Sequence, residues 1–236
     1  PTEKIAGAGL FAATFPGKKE HFDYTVEKHF EGGKIFASED PYHFLPGVGE
    51  MDMYLFNTGE HHKVYDVMGA HPHKMGEVDG VLFAVWAPNA ERVSVVGDFN
   101  CWDGRRHMMR LMGSSGIWEL FIPALRSGDI YKYEIRTKNG DILTKLDPYA
   151  QRTELRPHNA GRIPDGTPFA WSDSKWLAQR KKNNILESPV NIYEVHLASW
   201  RGPGLRKLDP KDENDFHTYS ELAHALADYV QEMGYT

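Results

Sequence analysis

The chain has 236 residues, 25% of them charged and 41% hydrophobic, the balance of an ordinary soluble globular protein with room for one or two cores. A net charge of -6 argues against a polyanionic partner such as nucleic acid, and the short basic runs Arg105–Arg106 and Arg180–Lys181–Lys182 read as solvated faces. One cysteine, Cys101, excludes an intramolecular disulfide and fits a reducing compartment, so a cytoplasmic location is expected; no apolar run approaches the roughly 20 residues that span a bilayer, and no basic-then-apolar leader opens the chain.

In chain order, the most informative feature is an internal repeat. Gly9–Pro16 parallels Gly116–Pro123, Phe22–Val26 parallels Tyr131–Ile135, and Gly33–Phe36 with Asp40–Tyr42 parallels Gly140–Leu143 with Asp147–Tyr149. The first and third blocks share one offset; the middle block, so aligned, drifts by two residues, a drift placed in the flanking loops. The second copy has further strand-like runs upstream, Val81–Trp86 and Arg92–Val96, whereas the first has almost nothing before Gly9. With Pro1 rather than Met at its head, the chain is expected to begin inside a first β-module, occupying residues 1–45.

A connector over residues 46–65 holds a short helix, Glu50 to Phe56, stopped by Gly59. Residues 66–165 carry short alternating runs separated by turn signals, of which Asn139–Gly140 between two strands is the strongest. Strands and turns without intervening helices predict an antiparallel, immunoglobulin-like β-sandwich. Alternation places Trp86 and Trp118 in its core, and sets Tyr131, Tyr133 and Ile135 inward against an outward Lys132. Residues 166–188 form a linker with a helix from Ser172 to Lys182, capped by Ser172 or Asp173. Within residues 189–236, Asn191–Leu197 reads as a strand, Arg201–His217 as a polar loop and Tyr219–Met233 as an amphipathic helix presenting Leu222, Leu226, Tyr229, Val230 and Met233 on one face. Strand, loop and helix make the first unit of a parallel α/β domain. One such unit cannot bury its own apolar faces, so the chain is expected to stop early within a (β/α)8 barrel.

The segments Phe83–Ala90, Val93–Asn100, Trp102–His107, Gly116–Pro123 and Ile192–Arg201, together with Asp40–Leu45 and Met68–Pro72, resemble bacterial glycogen branching enzymes of the α-amylase superfamily almost end to end. The resemblance implies a mainly β fragment: a glucan-binding type of sandwich, preceded by part of a similar module and followed by the first β–α unit of the catalytic barrel. It also implies an enzyme that transfers an α-1,4-glucan segment to a 6-hydroxyl with retention. Retention needs a nucleophilic carboxylate and a second carboxyl acting as acid and base. In that family they stand on later barrel strands, so no catalytic residue is expected in this chain, which is predicted inactive by itself. No cofactor and no membrane contact are implied; the partners are α-glucan and the rest of the barrel. Two other readings stay open: a non-catalytic glucan-binding subunit, and the front of a trehalose-forming or debranching enzyme.

Trp102 sits on a turn where a large ring can stack on a sugar, or pack on another domain. The resemblance pairs it with a lysine at Lys132 and a polar residue at Asn159 as the carbohydrate-binding set. It departs from the family pattern at Asp141–Ile142, where a second tryptophan is expected, and at Gly161, where a polar residue is expected. Glu194 and His196 share one face of the predicted strand and read as structural. No metal site is predicted: His61–His62, His71 and His73 lack ligand spacing, and Gly7-x-Gly9 lacks the strand-then-helix context of a dinucleotide loop.

Overall fold

The computed structural model describes residues 2–7, 9–166, 169–200 and 217–235. They fall into two compact units, residues 1–168 and 169–236. The first unit opens with two hairpins: β1 (Glu3–Ala6) pairs antiparallel with β2 (Leu10–Ala12), and β3 (Thr25–His29) with β4 (Ile35–Glu39). Helix α1 (Glu50–Thr58) follows, closed by left-handed Gly59 as expected. Strands β5 (Gly69–Met75), β6 (Val78–Trp86), β7 (Ala90–Gly97), β8 (Arg110–Leu111), β9 (Ile117–Pro123), β10 (Ile130–Thr137), β11 (Ile142–Lys145), β12 (Arg152–Thr153) and β13 (Gly161–Arg162) then build two sheets. One sheet runs β5-β6-β9-β8; in the other, β10 pairs with β7 and also with β11 and β13, and β12 closes on β13. Every pairing is antiparallel, as an immunoglobulin-like sandwich requires.

Period-two alternation builds the core. Val81, Phe83 and Val85 of β6 and Trp118, Leu120 and Ile122 of β9 meet Val93 and Val95 of β7 and Tyr131 and Tyr133 of β10. Full burial of each such side chain is worth about 1.5–3 kcal/mol. The other face of β6 and β9 is buried as well, since Phe44, Val48 and Met68 lie over Leu82, Ala84, Ile117 and Phe121. That second layer corrects the placing of Trp86 in the core. Its parity puts it on the outer face with Leu82 and Ala84, at the strand end, where Phe56 of α1 reaches it at 6.0 Å but leaves it 51% exposed. Trp118 is buried, as expected.

Glu119 stands fully buried in the middle of this outer layer. One carboxylate oxygen accepts from the backbone N–H of Gly47 (2.8 Å) and Val48 (3.0 Å). The other faces the Arg110 guanidinium at 3.2 Å, and Arg110 donates in turn to the Phe44 carbonyl. A buried charge is tolerated only when paired and hydrogen-bonded, and Glu119 is both.

The repeat is present in space at a constant offset of 107 residues. The β3–β4 register, Val26 opposite Ser38, is the β10–β11 register, Tyr133 opposite Lys145. The turns match bond for bond: Phe30 N–H donates to Lys34 O and Thr137 N–H to Asp141 O, each at 2.9 Å. Tyr24 donates to Asp40, and Tyr131 to Asp147, both at 2.7 Å. Those two aspartates each accept from the N–H two residues on, at Tyr42 and Tyr149. The expected two-residue drift of the middle block is therefore corrected: Tyr24 corresponds to Tyr131, and the alternating pattern of a short strand reads alike one pleat out of step.

In the second unit, α2 (Ser174–Lys182) is preceded by Asp173 at its N-cap, and α3 (Tyr219–Glu232) is opened by a Thr218–Glu221 capping box. Leu222 is buried on α3, with Leu226, Tyr229 and Val230 half-buried on the same face; Met233 is exposed. Residues 191–196 run without strand pairing, which corrects the expected strand. Among the described residues no strand lies beside this segment, so its backbone groups have no ladder to join. Its alternation survives nonetheless: Tyr193 packs on Tyr229 at 5.3 Å while Glu194 and His196 face outward. Residues 201–216 of the expected polar loop lie outside the described residues.

Two predictions follow from the buried polar groups. Glu119→Ala leaves two backbone N–H groups without their acceptor and the Arg110 guanidinium without its counter-charge, and should lower stability by about 3–5 kcal/mol, read from urea unfolding. Burial and the nearby Asp147 raise the phenols of Tyr131 and Tyr133 well above 10. The folded chain then keeps protons that the unfolded chain releases, so stability falls as pH rises through 10, by about 1.4 kcal/mol per pH unit for each tyrosine. Melting temperatures measured between pH 8 and 11 should show this limb, and Tyr131→Phe should flatten it.

Candidate functional site

The β7–β10 pair positions the residues singled out in the sequence, Lys132 on β10 and Trp102 on the loop that follows β7. At the end of β7, a single 3-10 turn over Asp98–Asn100 reverses the chain. Asn100, 1% exposed, is its peg: the side-chain oxygen accepts from Gly97 N–H at 3.0 Å, and the amide nitrogen donates to Val95 O at 2.8 Å and lies 2.9 Å from His107 Nδ1. Gly97 is required here by space, because a Cβ would stand 2.3 Å from the Ile130 carbonyl oxygen. Cys101 and Trp102 then adopt left-handed backbone angles, φ 57° and 58°. Such conformations cost of order 1–3 kcal/mol and persist where surrounding structure enforces them.

Trp102 is held at both ends. Its backbone N–H donates to Gly97 O at 2.9 Å, and its indole N–H donates to Asp98 at 2.8 Å. Trp102 is 38% exposed. Gly97 lies opposite Tyr131 in the sheet, so the tryptophan loop is anchored one residue from Lys132. The loop returns tightly at buried Gly104, where a Cβ would collide with the Glu134 carboxylate. Glu134 in turn is clamped by Arg92 at 2.5 Å. Arg105 grips Asp103 bidentately through Nε and one terminal nitrogen, and the hydrogen bonds from its side chain and backbone hold the Asp103 carboxyl well below the usual range.

Lys132 emerges on the outer face between buried Tyr131 and Tyr133, as its alternation predicts, and its ammonium donates to the Asn159 side-chain oxygen at 2.5 Å. Lys132 and Asn159 are thus in contact, with the Trp102 loop anchored to the neighbouring strand. An exposed aromatic ring offers stacking to a C–H-rich ring, and an ammonium and an amide offer hydrogen bonds to its hydroxyls. The two departures have physical correlates. Ile142, in place of the expected second tryptophan, is an exposed aliphatic at the start of β11. At Gly161 a Cβ would stand 2.9 Å from the Tyr131 ring, so a larger residue there needs that ring to move.

Sequence reasoning missed Asp98, which fixes the Trp102 indole, and the Asn100 peg; Asp and Asn bracketing a turn were the available signals. Two of the histidines considered as ligands have structural engagements instead: His61 lies 3.0 Å from Asp52 of α1, and His71 lies 3.0 Å from the Met68 carbonyl. Among the described residues one His/Asp group does assemble, His21, Asp23 and His43, none of which the sequence singled out.

Comparison with known proteins bears on this face. Residues 67–150 match the family model for carbohydrate-binding module 48, the isoamylase N-terminal domain. The 1,4-alpha-glucan branching enzyme GlgB of Methylococcus capsulatus is 46% identical over 235 residues, covering 99% of this chain and 31% of the relative. That of Thiobacillus denitrificans is 50% identical over 196 residues, covering 83% of this chain and 25% of the relative. Among solved structures, the pullulanase from Bacillus acidopullulyticus aligns with 42% of this chain and 12% of its own, at 26% identity and a TM-score of 0.33. The chain spans under a third of the length of the curated relatives it matches. No helix among the described residues is long and apolar enough to cross a membrane. By these matches the chain is similar over most of its length to bacterial 1,4-alpha-glucan branching enzymes, and its residues 67–150 match carbohydrate-binding module 48.

Proposed function

We propose that this chain binds α-1,4-glucan on the outer face of β7 and β10, with Trp102 stacking on a glucose ring and Lys132 and Asn159 engaging its hydroxyls. The observations that support the reading are the Lys132–Asn159 contact on β10 and, on the loop that leaves β7 opposite Tyr131, a tryptophan pinned at both ends yet over a third exposed. A pre-positioned ring loses little freedom on binding, which favours weak but orientation-specific capture of a chain. In the intact branching enzyme such capture would hold a glycogen-like strand near the barrel that performs retaining transfer, in the cytoplasm as part of glycogen synthesis. In this reading residues 1–45 complete an earlier module, residues 46–65 form the connector with α1, residues 66–165 are the glucan-binding module, residues 166–188 link it onward, and residues 189–236 open the barrel and pack against its remainder.

Retaining transfer requires two carboxylates flanking the scissile bond at about 5–5.5 Å. We assign no residue of this chain to that role. Amylose incubated with the chain should keep its iodine colour; a spectral shift would show branching and overturn the assignment. For the binding face, affinity electrophoresis in glycogen-containing gels and titration with maltoheptaose should give about tenfold weaker binding for Trp102→Ala and a smaller loss for Lys132→Ala. Trp171→Ala, at another exposed tryptophan, should bind as the parent does. Unaltered retardation of Trp102→Ala would place that ring against another domain instead.

A further inference from the structure

We infer that His21, Asp23 and His43 form a site for one divalent transition cation of the zinc class, which clips together the two ends of the β3–β4 hairpin. One ligand atom from each of the three residues lies within 4.8 Å of the others. His43 Nε2 and Asp23 Oδ1 are 3.1 Å apart. Two ligands of a tetrahedral zinc ion at about 2.0–2.1 Å are separated by roughly 3.3 Å, so that pair already stands at the spacing of one coordination edge. His21 Nε2 lies 2.5 Å from the His43 carbonyl oxygen, and the two imidazoles are 4.9 Å apart at their centroids.

A plain His–Asp ion pair accounts for only part of this. The His43 side chain is 5% exposed, which holds its Nε2 at this spacing from Asp23. The ring is also immobilised, stacked against Phe44 at 4.8 Å and Tyr24 at 5.0 Å. Asp23, by contrast, is almost wholly exposed, and His21 is exposed too, so both can close on an ion that the fixed His43 presents. Two imidazoles and a carboxylate suit zinc or its neighbours in the divalent series, with water filling the remaining position.

Position in the chain gives the site a purpose. His21 and Asp23 precede β3 and His43 follows β4, so the ion would close the loop that contains the whole hairpin. A two-stranded hairpin is marginal in water, and a metal clip is one of the means by which small units gain stability. The equivalent hairpin β10–β11 is held within a five-stranded sheet and has no comparable need.

The test uses the 236-residue chain stripped with a chelator and titrated with Zn2+ in a calorimeter, and with Co2+ by visible absorption. One equivalent should bind, Co2+ should give the strong visible bands of a four-coordinate ion, and Zn2+ should raise the melting temperature. His21→Ala and Asp23→Asn remove exposed side chains and should each weaken Zn2+ binding at least tenfold while leaving the circular dichroism spectrum of the metal-free chain unaltered. A double variant His61→Gln with His62→Gln should bind as the parent does. Absence of a stoichiometric equivalent overturns the site, as does binding that survives both His21→Ala and Asp23→Asn; the latter result would mark adventitious zinc on surface histidines.

Discussion

The position of every residue on the candidate face depends on how β10 is held. Tyr131 and Tyr133 are buried to within 1% of full enclosure, and both hydroxyls donate to one carboxylate, Asp147, at 2.7 and 3.4 Å. Burial pushes that carboxyl above the usual range, while the two phenols and the Tyr149 N–H pull it back down. The anchors are two residues apart, so the residue between them has no freedom to turn inward. Lys132 is that residue. Its outward direction follows from its neighbours being pinned, more than from its own charge.

The same device explains why the two halves of the repeat look so different. Tyr24 and Asp40 reproduce the Tyr131–Asp147 bond, but Tyr24 is exposed, and its phenol is pushed up to about 12 chiefly by that hydrogen bond rather than by burial. In the second copy the pair sits beneath a facing sheet, and burial is what chiefly pushes the Tyr131 phenol up. One local geometry is thus seen in two solvent environments. The hairpin geometry is therefore specified locally, by the turn glycine, the aspartate and the tyrosine, while the sandwich supplies enclosure.

Much of this was legible in the residues. Turn signals and alternation gave the sandwich, Gly59 gave the end of α1, and the parity of β10 gave the direction of Lys132. Other features were not, for identifiable reasons. Trp86 has the alternation of a core residue, but β6 is buried on both faces and periodicity alone does not say which face is deeper. The Asn191–Leu197 pattern is that of a strand, yet strand structure is a property of pairs, and a pattern in one segment does not supply its neighbour. The His21, Asp23 and His43 group joins side chains on either side of a hairpin, a proximity that only the β3–β4 register reveals. At the candidate face the sequence named the residues that point outward and missed Asp98 and Asn100, whose contacts are with the loop itself.

The grip of Glu119 on two consecutive amides has a bearing on how this molecule can change over evolutionary time. A carboxylate oxygen that reads adjacent N–H groups fixes the segment before α1 to a single-residue register, so gaining or losing one amino acid between Phe44 and Glu50 would swing the helix away from the sheet it covers. The stretch from Gly59 to Lys63 is exposed or half-exposed and carries no such lock. Length variation among relatives should collect there, on the far side of the helix, and spare the near side.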